Sequence, residues 1–330
     1  MRSSSCKELL ALLALVVLCL FPGNIGTARS ISVDHPCMAA AGIMDMADRC
    51  KRTQENGKRK FYIIAHNPNT VDDAMDALQK GANALGPDIA CHDGEFRVHH
   101  KMFLDQFPGP RDPSLKEYCM ELATRLSEDP DHRLTLIVWD MKNVDNSDFS
   151  FQKLRDIIEE NFVDVLAAAH LKEVPMLFTH ANDYNYMVQE VGPWLRPKWA
   201  LGIDELDRPF DMDTVFRKKG FCYSYADGIS FFAGNTLRYM KDIKEAIAMR
   251  DAGNSFSFVY SWSVFGRAKM KAYLEAGVDG MVTRRVGRLK ALIDGEYADR
   301  YDLATSDDNP FTVVADDLVN VAPPATDQSE

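Results

Sequence analysis

From about Phe61 onward the chain alternates short apolar runs with stretches whose apolar positions recur at helical spacing, the pattern of βα units around a parallel sheet. The runs predict strands over Phe61–His66, Leu85–Cys91, Leu134–Lys142, Val174–His180, Trp199–Leu206, Phe221–Tyr225, Phe256–Trp262 and Val278–Thr283. Helical period is carried by Val71–Lys80, Ser114–Leu126, Phe151–His170, Asn235–Asp251 and Arg267–Ala276, with Gly253 and Gly277 as stops for the last two. Eight strands with helices between most of them predict an α/β fold of the (β/α)8 TIM barrel type, in a single domain, rather than an open doubly wound sheet. The segment after the first strand, His66-Asn67-Pro68-Asn69-Thr70, is not glycine-rich, which removes the main support for a nucleotide or dinucleotide site.

Composition narrows the class further. The chain has 330 residues, 46% hydrophobic and 26% charged, enough apolar material for a sizeable core. Its net charge of -11 argues against a general nucleic-acid binder and against a polybasic lipid anchor. Arg2 and Lys7 precede an apolar run from Leu9 to Phe21, followed by Pro22, Gly23 and Gly26-Thr27-Ala28. That order predicts a secretory signal peptide over residues 1–28, cut after Ala28, because the run is shorter than the roughly 20 residues of a spanning helix. The expected organisation is then an entry segment over 29–60, the barrel over 61–311 and a disordered acidic tail over 312–330. Beyond the signal stand Cys37, Cys50, Cys91, Cys119 and Cys222, an odd set whose pairing the sequence leaves open. None has zinc spacing.

In a barrel, chemistry sits where polar residues close apolar strands. His66 closes the first strand, Asp88 lies in the second, and Asp140 and Lys142 end the third. His180 ends the fourth, Asp204 and Glu205 the fifth, and Trp262 the seventh. Residues two apart on a strand share a face, so Asp140 and Lys142 point the same way: the carboxylate suits a hard cation and the ammonium a phosphate oxygen, or the two form a plain ion pair. The adjacent His99 and His100 point opposite ways if extended, so only one can share a site with His66. Two histidines flanking a phosphorus centre can serve as base and acid, both titrating near neutral pH.

Several stretches, in this order, resemble the sphingomyelinase D / phospholipase D family of spider and tick secretions and of some fungi and bacteria, within the wider glycerophosphodiester phosphodiesterase-like barrels. They are Ala65-His66, Gly81-Ala82-Asn83-Ala84-Leu85, Val138-Trp139-Asp140-Met141-Lys142-Asn143, Val259-Tyr260-Ser261-Trp262-Ser263-Val264 and Ala276-Gly277-Val278-Asp279-Gly280. The segment Ala304-Thr305-Ser306-Asp307-Asp308-Asn309-Pro310-Phe311 resembles the family's tail that plugs the barrel bottom. The resemblance implies His66 and His100 as catalytic residues, Asp88 and Asp140 as ligands of Mg2+, and Lys142, Trp262 and Tyr260 as substrate-binding residues. A tryptophan face suits a choline-type headgroup.

The resemblance also marks departures. The family carries a glutamate, a third metal ligand, two residues before Asp88, and here that position is Gly86, followed by Pro87. Phe265 stands where a polar residue is common, Arg284-Arg285 replaces a polar loop, and Lys101-Met102-Phe103-Leu104 replaces a cysteine-rich loop. The implied function is a secreted, extracellular, magnesium-assisted phospholipase D-like enzyme that releases the headgroup from sphingomyelin or lysophospholipids and forms a cyclic phosphate. Its partner would be a phospholipid or sphingolipid at a membrane or lipoprotein surface, with no nucleic acid, no transmembrane segment and a monomeric state. The alternatives are a glycerophosphodiester phosphodiesterase acting on soluble diesters and, because of Gly86, a lipid-headgroup binder with impaired catalysis. Toxin action would follow only for venom members.

Overall fold

The computed structural model describes residues 57–100, 112–142, 144, 148–181, 187–204, 223–228, 236–252 and 256–311, all in the unit Asp45–Glu330. The expected signal peptide, most of the entry segment, Cys37, Cys50, Cys222, Lys101–Leu104, Glu205 and the tail 312–330 lie outside the described residues.

Eight strands close a parallel barrel: β1 (Arg59–His66), β2 (Ala84–Gly86), β5 (Leu136–Met141), β6 (Met176–Ala181), β7 (Trp199–Asp204), β8 (Tyr223–Gly228), β9 (Phe256–Trp262) and β10 (Gly280–Thr283). Each pairs in parallel with the next, and β10 returns to β1. The expected strand Leu85–Cys91 is instead two pieces. Pro87, which has no N–H to give to a ladder, separates β2 from β3 (Asp88–His92). A hairpin then adds the antiparallel strand β4 (Glu95–Val98). Its two-residue turn, Asp93-Gly94, has both residues at positive φ, the geometry that suits the twist of paired strands.

The α-helices among the described residues are α1 (Val71–Gln79), α2 (Leu115–Glu128), α3 (Phe151–Ile158), α4 (Asp164–Ala168), α5 (Thr236–Asp251), α6 (Arg267–Ala276) and α7 (Val286–Asp294). One helix was predicted over Phe151–His170, and a π-helical turn, Glu159–Val163, divides it into α3 and α4. Ser114 caps α2 in a reciprocal box with Glu117, and Gly277 ends α6 at φ 96, a conformation that glycine adopts without a Cβ penalty. Helix α7 and the short strand β11 (Tyr301–Leu303), which pairs with β1, were not anticipated.

The period-2 alternation of the strands sorts the core into two clusters. Tyr62, Ile64, Ala84, Leu136, Val138, Leu177, Ala200, Ala226, Phe258, Tyr260 and Val282 fill the barrel interior. Their neighbours Phe61, Ile63, Leu85, Ile137, Trp139, Phe178, Leu201 and Met281 face the helices. Ala304 and Phe311 are buried in the interior cluster. Asn83 ties this end of the barrel together: its Oδ1 accepts from the Ile63 amide at 2.7 Å, and its Nδ2 donates to the carbonyls of Phe61 and Ala304, each at 3.0 Å. On the far side of β1, Arg250 donates to the fully buried Asp279 at 2.5 Å, and Asp279 also accepts from the Val259 amide at 2.8 Å.

Replacing Asn83 with Ala takes the side-chain partner from the Ile63 amide and the Ala304 carbonyl, while the Phe61 carbonyl keeps the Ala304 amide, so Asn83→Ala is expected to lower stability by about 2 kcal/mol in urea denaturation. A loss within a few tenths of a kcal/mol of zero would show that this tie is dispensable.

Candidate active site

The interior parity of each strand continues past the apolar layer into polar side chains at the carboxyl end. After Tyr62 and Ile64 comes His66, after Leu136 and Val138 comes Asp140, and after Phe258 and Tyr260 comes Trp262. Asp88, which follows Ala84 and Gly86 by the same count, sits opposite Asp140 in the β3–β5 register. The two carboxylates therefore face one another from adjacent strands.

Lys142, just past the end of β5, bridges them. Its Nζ lies 3.2 Å from Asp88 Oδ1 and donates to Asp140 Oδ2. Burial works to lower the Lys142 pKa, but the carboxylates of Asp140 and Asp88 outweigh it and raise it above the ordinary lysine value. Burial likewise works against ionised Asp88, and His100 and Lys142 overcome it, holding its pKa below the ordinary value. Asn69 fixes Asp88 reciprocally: its Nδ2 donates to Asp88 Oδ2 at 3.1 Å and its Oδ1 accepts from the Asp88 amide at 3.0 Å.

Of the adjacent histidines, His100 is the one that faces this cluster. Its Nδ1 approaches Asp88 Oδ1 at 3.3 Å, without the alignment of a hydrogen bond. His99 points the other way, is 5% exposed and pairs with Asp112 at 2.8 Å. His66 and His100 face each other with ring centroids 6.5 Å apart. His66 is half-buried, and its pKa is lowered to about 4, first by burial and then by the guanidinium of Arg284. Arg284 Nε donates to His66 Nδ1 at 3.1 Å, so the neutral ring keeps its lone pair on Nδ1 and its proton on Nε2. Phe265, 47% exposed, lies with its ring 6.5 Å from that of His66.

The structure thus brings together His66, His100, Asp88, Asp140 and Lys142. Trp262 borders the interior cluster, and its Nε1 is buried with no hydrogen-bond partner among the described residues. Tyr260 lies one interior position deeper, 1% exposed and stacked on Phe258 at 5.4 Å, where it forms the floor under Trp262. His180 is on the opposite parity from the interior and its Nδ1 meets the Met141 carbonyl at 2.7 Å, a structural tie. Asp204 closes β7, and its side chain lies outside the described residues. Asn69 and Arg284 had not been anticipated as partners of Asp88 and His66.

The magnesium centre implied by the resemblance finds a poor donor set. Among the described residues no group of three or more His, Cys, Asp or Glu is placed to hold a metal ion. A Cβ at Gly86 would stand 3.2 Å from the Ala65 carbonyl oxygen and 3.3 Å from Ile64 Cγ2, so β2 passes β1 too closely for an easily accommodated third carboxylate. The space between the two carboxylates that remain is taken by an ammonium. These residues do not fit a magnesium site in the arrangement they adopt.

The carboxyl end of the barrel thus carries two opposed histidines, a half-buried ammonium and an aromatic side chain, and the relatives that the chain matches make it a phosphodiesterase of the phospholipase D-like class. A family model described as dermonecrotic toxin SPH matches residues 212–311. The chain is 41% identical over 291 residues to dermonecrotic toxin LlSicTox-alphaIII1ii of Loxosceles laeta, covering 78% of this chain and 98% of the relative. It is 23% identical over 287 residues to dermonecrotic toxin LiSicTox-alphaIA2bi of Loxosceles intermedia, covering 77% and 89%. In fold it is similar to a putative glycerophosphoryl diester phosphodiesterase of Silicibacter pomeroyi, with a TM-score of 0.52, 13% identity and coverage of 78% and 99%. A glycerophosphodiester phosphodiesterase of Parabacteroides distasonis matches with a TM-score of 0.50, 15% identity and coverage of 73% and 100%. The chain belongs to the dermonecrotic toxin, or sphingomyelinase D, family. No helix among the described residues is long and apolar enough to cross a membrane.

The lowered His66 pKa fixes a pH dependence. An unfolded histidine takes its proton near 6.5, so between about 4 and 6.5 the unfolded chain holds more protons than the folded one, and stability rises with pH. The contribution is complete above about 6.5 and is lost as pH falls towards about 4. His66→Gln is expected to flatten that part of the stability profile, and Arg284→Ala to move the His66 titration upward in a histidine NMR titration. An unmoved titration in Arg284→Ala would contradict the contact.

Proposed function

We propose that the chain releases the headgroup of sphingomyelin or lysophospholipids by attack of the lipid's own hydroxyl on phosphorus. The hydroxyl oxygen forms the new P–O bond of a cyclic phosphate, and the P–O bond to the headgroup breaks. His66, neutral and with its lone pair on Nδ1, takes the hydroxyl proton once Arg284 turns aside, and His100 gives a proton to the departing alcohol oxygen. Lys142 presents its charge to the phosphoryl oxygens, and Asp88 and Asp140 hold the ammonium in place. The Trp262 face receives a quaternary ammonium. Magnesium, the cofactor implied by the resemblance, would add positive charge at the phosphodiester, and no step here depends on it.

The observation that carries this reading is the pair of histidines opposed across 6.5 Å beside a half-buried ammonium, in a chain of this family. The exposed ring of Phe265 next to His66 favours a substrate presented at an apolar surface over a soluble diester. The net charge of -11 is compatible with zwitterionic choline lipids at a membrane or lipoprotein surface. Secretion through the segment 1–28 and action as a monomer complete the reading.

Choline release from sphingomyelin vesicles, lysophosphatidylcholine and glycerophosphocholine, followed with phosphorus NMR of the products, tests it. Release from the lipids with a cyclic phosphate product is expected, and His66→Asn and His100→Asn should each lower kcat by about 10²–10⁴-fold. Preference for glycerophosphocholine with a hydrolytic product would replace this reading with a soluble-diester phosphodiesterase. Vesicle binding without any release would make the chain a headgroup binder.

A further inference from the structure

We infer that Lys142 and Arg284 together take the place of a divalent cation, so that this site binds its phosphodiester with side-chain charge alone. The inference deepens the reading above and rests on it for the identity of the diester.

Three observations converge. Three of the four carboxylate oxygens already face a protein partner: Asp88 Oδ2 accepts from Asn69, Asp88 Oδ1 lies 3.2 Å from Lys142 Nζ as an ion pair without a hydrogen bond, and Asp140 Oδ2 accepts from the same ammonium. The position from which a third carboxylate would enter is Gly86, pressed against the Ala65 carbonyl and Ile64. The charges also close without an ion, since Asp88 and Asp140 contribute two negative charges and Lys142 and Arg284 two positive ones. A divalent cation entering this set would have to displace an ammonium from between its carboxylates and would leave a surplus positive charge.

Arg284 is the less obvious half of the pair. It is exposed, follows β10 directly and reaches His66, so its guanidinium stands at the rim where a phosphodiester would meet the histidines. A planar guanidinium carries five donors and binds phosphate through two of them at once, which a single ammonium cannot do. Moving from His66 Nδ1 to a phosphate oxygen, it would uncover the lone pair that the reaction needs. Substrate binding and activation of the base are thereby the same movement.

Calorimetric titration of the metal-stripped chain separates the two descriptions. With magnesium chloride, no saturable heat is expected at millimolar concentration. With O-phosphocholine in the presence of a chelator, binding is expected, weakened roughly tenfold or more in Arg284→Ala and in Lys142→Met. Arg284 is exposed and its replacement leaves the core intact, so that variant decides the outcome if Lys142→Met does not fold. One-to-one magnesium binding, or phosphocholine binding that appears only with magnesium, would overturn the inference. Headgroup release measured in chelator distinguishes the two failures. Release that requires magnesium removes the inference and leaves the function standing. Absence of release from every lipid, with phosphocholine still bound in chelator, removes the function and leaves the cation pair.

Discussion

The ammonium of Lys142 lies between Asp88 and Asp140, and the arrangement of the site follows from keeping it there. Two carboxylates opposed across neighbouring strands repel each other in a low-dielectric setting unless a cation separates them. Lys142 supplies that cation two residues after Asp140, on the same face. Asn69, on the loop after β1, pins Asp88 from the other side, and the hairpin of β3 and β4 brings His100 against it. Removing the ammonium alone would leave the buried Asp88 and the half-buried Asp140 facing each other without the cation between them, which costs more than a surface ion pair is worth.

Much of this was legible because barrel strands repeat every second residue. Runs ending in His66, in Asp140 and in Trp262 announced both the strand and the side chain at its mouth, and β9 and α6 fall on the residues the pattern gave. The adjacent His99 and His100 had to diverge, and they do. What the pattern could not supply were contacts set by the closing of the barrel. Arg284 meets His66 across 218 positions, and no local periodicity marks such a pair. Asn69 looked like an ordinary turn residue until the register of β3 placed Asp88 beside it. The β3–β4 hairpin carried a local signal in Asp93-Gly94, whereas the division of the second strand turned on Pro87.

Gly86 shows how one residue type can reorganise a site. Without a side chain there, β2 approaches β1 closely, and a Cβ at this position would press on the Ala65 carbonyl and Ile64 by a few tenths of an ångström. Under the cation-pair proposal the site answers with charge of the opposite sign rather than with another acid: an ammonium between the aspartates and a guanidinium at the rim beside His66. Phe265 lies exposed beside His66, and Trp262 borders the interior cluster at the end of β9.

The most direct test is an anomalous difference map from crystals of the chain soaked in manganese, a scattering stand-in for magnesium. The account predicts no peak between Asp88 and Asp140, and density for the Lys142 side chain reaching both. A six-coordinate peak there, with oxygen ligands at roughly 2.1–2.2 Å and Lys142 turned away, would contradict it.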